Sequence, residues 1–125
     1  MILNLLSVFI GGGLGAIFRY FAGVFCTRFI DTSFPIATFA VNFLGSFLLG
    51  VFFIIFLNKF EHNTTLKLAL TVGFCGGFTT FSTFSFEIFD MLKTGNYFLA
   101  FLYFMTSILF GLLGVFLGVK FGKIF

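Results

Sequence analysis

The chain has 125 residues, 60% of them hydrophobic and 9% charged, whereas an ordinary soluble domain is about 45–50% apolar and about 25% charged. A helical crossing of a bilayer needs roughly 20 apolar residues, so this length holds four spans and leaves no room for a soluble domain. The formal charge of +3 comes from a few loop residues; it points away from a nucleic-acid partner and serves at most to draw anions toward a vestibule.

The first span is expected over residues 3–25. It has no charged leading region and no small-residue cleavage site, so it reads as a retained helix and not a signal peptide. Gly11, Gly12, Gly13 and Gly15 interrupt it, and Arg19 lies deep toward its far end. A short connection with Arg28, Asp31 and Pro35 leads to a second span over residues 34–57, which exits through Asn58, Lys59, Glu61, His62 and Asn63. His62 and the Asn63-Thr64-Thr65 sequon read as solvated loop residues, without a metal or glycan role. The third apolar stretch, residues 66–92, contains Gly73, Gly76 and Gly77 followed by Thr79, Thr80, Ser82, Thr83 and Ser85. A break is expected near residues 76–80, where adjacent glycines would free the backbone to leave the helix. The fourth span, residues 97–119, ends in Lys120 and Lys123. The whole chain is thus one all-α membrane domain, residues 1–125, with four transmembrane helices. Cys26 and Cys75 fall in or at the edge of apolar segments and read as packing residues, not as a disulfide. Gly11 with Gly15 and Gly114 with Gly118 are small-xxx-small pairs assigned to close helix packing.

Lysine and arginine counts set orientation. The side shared by the termini carries Lys59, Lys67, Lys120 and Lys123, and the other carries Arg28 and Lys93, plus Arg19 if it snorkels outward. This weak bias fits either a single orientation with cytoplasmic termini or insertion both ways, which would let two copies pair antiparallel.

Broken helices at membrane depth are tolerated only where protein or an aqueous cavity covers the break, and the freed carbonyls there can hold a cation. After the break, Phe81 and Phe84 are three apart and share a face, and the positive edges of such rings can solvate a small anion. Thr83 and Glu87 lie four apart on another face, and Glu87 is the only acid well inside a span, which makes it a functional candidate. On the second span Thr38, Asn42 and Ser46 are spaced by four, and on the fourth Tyr103 and Ser107 continue toward Gly111. The Asn42 amide can donate to an anion or bond another helix. Arg19 can attract anions into a vestibule or pair with a carboxylate. Most of the 26 phenylalanines read as lipid-facing bulk, but uncharged donors beside aromatic edges suit a desolvated anion, where a cation pathway would use acidic or carbonyl rings.

The runs Gly12-Gly13-Leu14-Gly15-Ala16 before Arg19-Tyr20, Asn42-Phe43-Leu44-Gly45, and Gly73-Phe74-Cys75-Gly76-Gly77-Phe78-Thr79-Thr80-Phe81-Ser82-Thr83-Phe84 strongly resemble the Fluc (CrcB) fluoride channels over essentially the whole chain. That resemblance implies an antiparallel, dual-topology homodimer in the cell membrane with two fluoride pathways. It implies a structural, untransported sodium ion held by the carbonyls of Gly76 and Thr79 from both subunits. It further implies pore phenylalanines Phe81 and Phe84, Asn42 donating to fluoride, and Ser82, Thr83, Tyr103 and Ser107 along the polar track, with Arg19 in the vestibule and Glu87 as a track acid. At Gly111 the pattern departs from relatives that carry a hydroxyl there. The implied role is passive fluoride export, which lowers the toxic anion in the cytoplasm. The alternative is a small dual-topology multidrug or cation exporter, which would use a carboxylate in its first span, where this chain has none. Catalysis is not expected, since no nucleophile has a base within its own span.

Overall fold

A computed structural model describes residues 1–59 and 61–125. Among the described residues, four helices are long and apolar enough to cross a membrane: α1 (Ile2–Phe29), α2 (Ile36–Asn58), a third span over Thr64–Lys93, and α6 (Tyr97–Gly122). The observed ends extend most of the expected spans by a few residues, because apolar content marks the hydrocarbon core while helical hydrogen bonding runs on into the flanking polar residues.

The third span is composite. It begins with α3 (Thr64–Leu68), whose N-terminus is capped by Asn63 Oδ1 accepting from the Leu66 N–H at 3.1 Å; Asn63 is therefore a helix cap and not only a loop residue. The span continues as a π-helical segment, Ala69–Cys75, and a single turn, α4 (Gly76–Phe78). Thr79 and Thr80 are extended (φ −80°, ψ 159° and φ −150°, ψ 120°), and α5 (Phe81–Lys93) then restarts the helix.

The break thus falls within the expected stretch, but not at its glycines. Gly76 is helical (φ −65°, ψ −37°), and the only glycine with positive φ among the described residues is Gly95. Gly77 serves close approach instead: a Cβ there would lie 2.4 Å from the Gly12 carbonyl oxygen. The same logic runs along the α1 seam, where a Cβ on Gly11 would meet the Ala69 oxygen at 2.0 Å and one on Gly15 the Phe74 oxygen at 2.2 Å.

Two helix pairs organise the fold: α1 lies along the π-helical segment and α4, and α2 lies along α6. Gly118 belongs to the second seam, since a Cβ there would meet the Phe47 carbonyl oxygen at 2.0 Å. Small residues matter because lipid tails are as apolar as the side chains, so association depends on close packing. The buried cluster of Phe84, Met91, Ala100 and Tyr103 fixes α5 against α6, whereas the outer faces of α1, α5 and α6 remain apolar and exposed.

Candidate functional site: a threonine break between two clefts

A continuous helix would send the Thr80 N–H to the Gly76 carbonyl and the Thr83 N–H to the Thr79 carbonyl. Neither bond is made. Asn42 Oδ1, on α2, accepts from the Thr80 N–H at 2.8 Å, while Asn42 Nδ2 donates to the Thr80 carbonyl at 3.1 Å. The Thr83 N–H donates to Thr80 Oγ1 at 3.2 Å, so Thr80 caps α5 with its side chain. These substitutions release the carbonyls of Gly76 and Thr79 from helical bonding. The Thr79 oxygen accepts from Arg19 Nη1 at 3.1 Å, so Arg19 reaches across from α1 to the break and not to a carboxylate. Gly45 lets α2 come this close, for a Cβ there would meet Thr79 Cγ2 at 2.2 Å.

Released carbonyl oxygens are the hard donors that sodium takes, and two from one chain supply half of a four-oxygen set. The residues at the break therefore fit the sodium ion expected from Gly76 and Thr79. The Arg19 guanidinium on the Thr79 oxygen would weaken the hold of that position on a cation.

Two clefts meet at Thr80. One, of about 370 Å³, runs between α2, the third span and α6; its lining includes Asn42, Ser46, Gly76, Thr79, Phe81, Phe84 and Ser107. None of its described lining residues is charged. The other, of about 600 Å³, lies between α1, α2 and α5 and holds Arg19, Thr38, Thr83 and Glu87. The stripe Thr38, Asn42, Ser46 is accordingly divided between the clefts, with the Asn42–Thr80 junction as part of the wall between them.

The phenylalanines behave differently from one another. Phe81 is 77% exposed and Phe84 5% exposed, with ring centroids 5.9 Å apart. Phe84 packs edge-on against Tyr103 at 5.1 Å. Tyr103 is fully buried and lines neither of the two clefts; its hydroxyl donates to Glu87 Oε2 at 2.7 Å, and Thr38 Oγ1 donates to Glu87 Oε1 at 2.7 Å. Glu87 thus meets two hydroxyls contributed by α2 and α6. Ser82 is exposed and lies 3.3 Å from Thr80 Oγ1, and Thr80 Oγ1 donates to Thr83 Oγ1 at 3.1 Å. Ser107 Oγ is buried with no hydrogen-bond partner among the described residues.

Of the residues singled out in the sequence, Asn42, Gly76, Thr79, Phe81, Phe84 and Ser107 come together in one cleft, and Arg19, Thr83 and Glu87 in the other. Thr80 is the residue that sequence reasoning undervalued. Its signal was the threonine three residues before Thr83 at the start of a helix, the spacing of an N-cap.

A family model described as "CrcB-like protein, Camphor Resistance (CrcB)" matches residues 6–119. A curated protein of Phocaeicola vulgatus named "Fluoride-specific ion channel FluC" is 47% identical over 93% of this chain and 95% of its own length. Proteins of the same name from Gloeothece citriformis and Bacteroides fragilis are each 44% identical. The first alignment spans 94% of both chains and the second 98% of both. With its four apolar helices, the chain is a multi-pass membrane protein.

Proposed function

The chain belongs to the CrcB-like family, and from that membership and the chemistry of the break we propose that it is a fluoride-specific ion channel that lets fluoride leave the cell passively. The observation that carries this reading is the cleft beside Thr80, whose polar side chains include the uncharged Asn42, Ser46, Thr79, Thr80 and Ser107 and whose aromatic groups are Phe81 and Phe84. Fluoride entering it exchanges water for hydroxyl and amide donors and ring edges, none of which carries a full charge that would trap it. Arg19 and Glu87 line the other cleft and not this one, and Arg19 touches this lining only through the backbone oxygen of Thr79.

The functional unit in this reading is an antiparallel homodimer, inserted with both orientations. Its support is the weak lysine and arginine bias, together with the exposed apolar face on which Phe81 stands. The carbonyls of Gly76 and Thr79 from each subunit would hold a structural sodium ion, whose positive charge supplies a fixed counterion for four oxygens that no helix bond satisfies. The chain's own residues do the remaining work: Asn42 holds the Thr80 peptide, Thr80 starts α5, and α5 sets the positions of Phe81 and Phe84.

The test is fluoride efflux from liposomes containing the purified full chain, read with a fluoride electrode. Rapid electrogenic release that spares chloride, needs sodium and falls in Phe81→Ile is the expected result. No fluoride release from the wild-type protein would overturn the channel reading.

A further inference from the structure

Serine and threonine hydroxyls inside helices commonly bond back to their own backbone. Thr27, Thr71 and Thr106 do so here, donating to carbonyls four residues earlier at 3.1, 2.7 and 2.7 Å. Ser46 on α2 and Ser107 on α6 depart from this habit. Neither hydroxyl has a hydrogen-bond partner among the described residues, and both line the cleft at the break.

The Ser107 oxygen is buried as well, and a buried hydroxyl left without a partner is unfavourable until something fills that role. One turn further along α6, Gly111 brings no side chain to the same cleft. A Cβ at Gly111 would find one neighbour within 4 Å, the Ser46 hydroxyl oxygen at 4.0 Å. The Ser46 hydroxyl therefore reaches from α2 toward the space where a side chain on α6 would otherwise stand.

We propose that Ser46 and Ser107 form a two-hydroxyl site for a small desolvated anion at the Gly111 end of this cleft, with Ser46 supplying the donor that α6 lacks there. Both hydroxyls are free to rotate and donate, and the described lining offers no carboxylate with which a cation would pair. The site rests on the fluoride-channel reading and extends it by a binding residue on α2 beyond Asn42.

The experiment compares fluoride efflux from liposomes for wild type, Ser46→Ala, Ser46→Ala with Gly111→Ser, and Thr106→Val. Losing one donor to a charged ligand slows Ser46→Ala about tenfold. The double variant restores the rate to within about threefold of wild type, because a serine at position 111 returns a hydroxyl to the same space with room for its Cβ. Thr106→Val, which removes a hydroxyl already bonded to its own helix, conducts as wild type. An unchanged rate in Ser46→Ala beside a conducting wild type overturns the site and leaves the channel reading standing. A slow Ser46→Ala that Gly111→Ser does not restore overturns it too, since the loss is then one of packing. A silent wild type overturns both readings.

Discussion

Asn42 holds Thr80 by both backbone groups, accepting from its N–H at 2.8 Å and donating to its carbonyl at 3.1 Å. A side-chain amide here takes the place that a neighbouring turn of backbone would occupy in an unbroken helix. The break is therefore made on α2 as much as on the third span. Asn42→Ala strands two backbone groups at membrane depth and is expected to destabilise the protein by about 2–4 kcal/mol. Asn42→Asp keeps the acceptor, loses the donor and brings a negative charge to the anion cleft, so it is expected to abolish fluoride efflux. Thermal unfolding in detergent checks the first outcome and liposome flux the second.

Glu87 accepts from Thr38 on one oxygen and from Tyr103 on the other, each at 2.7 Å. Glutamine at this position keeps one acceptor, and the hydroxyl facing its amide nitrogen can rotate to accept. Alanine removes the acceptor that both hydroxyls share, one of them on the fully buried Tyr103. Glu87→Ala is thus expected to cost about 1–3 kcal/mol more in thermal unfolding than Glu87→Gln. Equal stability of the two variants would show that the hydroxyl pair does not depend on this side chain.

Both the four spans and the neighbourhood of the break can be read from the sequence, since apolar length and a dense glycine and hydroxyl run are local signals. The residue that breaks the helix is harder to read. Gly76 and Gly77 look like the weak point because glycine frees the backbone, yet both remain helical. The competing force is the Asn42 amide, 38 residues away, and no local pattern carries that pairing. The same holds for Arg19, whose partner, the Thr79 carbonyl, is 60 residues distant. Spacing on one helix correctly groups Thr83 with Glu87, but it does not reveal that Thr38 and Asn42, one turn apart, open onto different clefts.

The two adjacent glycines make a paired prediction. A Cβ on Gly77 would sit 2.4 Å from the Gly12 oxygen, whereas one on Gly76 meets nothing within 4 Å in this chain. Backbone against backbone cannot yield as a side chain would, so Gly77→Ala must push α1 away from the third span. It is expected to lower the yield of monodisperse protein severely, while Gly76→Ala folds. Size-exclusion profiles of the two variants, expressed side by side, decide this; matching profiles would mean the α1 seam is looser than its geometry.

Thr80 Oγ1 accepts from the Thr83 N–H at 3.2 Å and so opens α5. Replacing an N-cap hydroxyl costs about 0.5–2 kcal/mol, which makes Thr80→Val destabilising and Thr80→Ser close to neutral. The flux consequence is separable, because α5 carries Phe81 and Phe84 and a frayed first turn loosens both rings. Thr80→Val is expected to lose fluoride efflux by more than its stability loss accounts for, with Thr80→Ser retaining most of it.

Arg19 supplies the sign of the last prediction. Its guanidinium donates to the Thr79 oxygen at 3.1 Å, and a sodium ion held by that same oxygen would feel a permanent like charge nearby. Charges a few ångströms apart at a partly wet site interact by about 2–4 kcal/mol. Losing the hydrogen bond that orients the carbonyl offsets part of this. Arg19→Gln keeps an amide donor of shorter reach and removes the charge, so the sodium requirement is expected to move severalfold toward lower concentration. The readout is thermal stabilisation of the purified protein across a sodium titration, which follows ligand binding to the folded state and does not depend on conduction. A shift toward higher sodium would mean that Arg19 acts mainly by holding the Thr79 carbonyl in place. Stability indifferent to sodium in both proteins would remove the cation from the break.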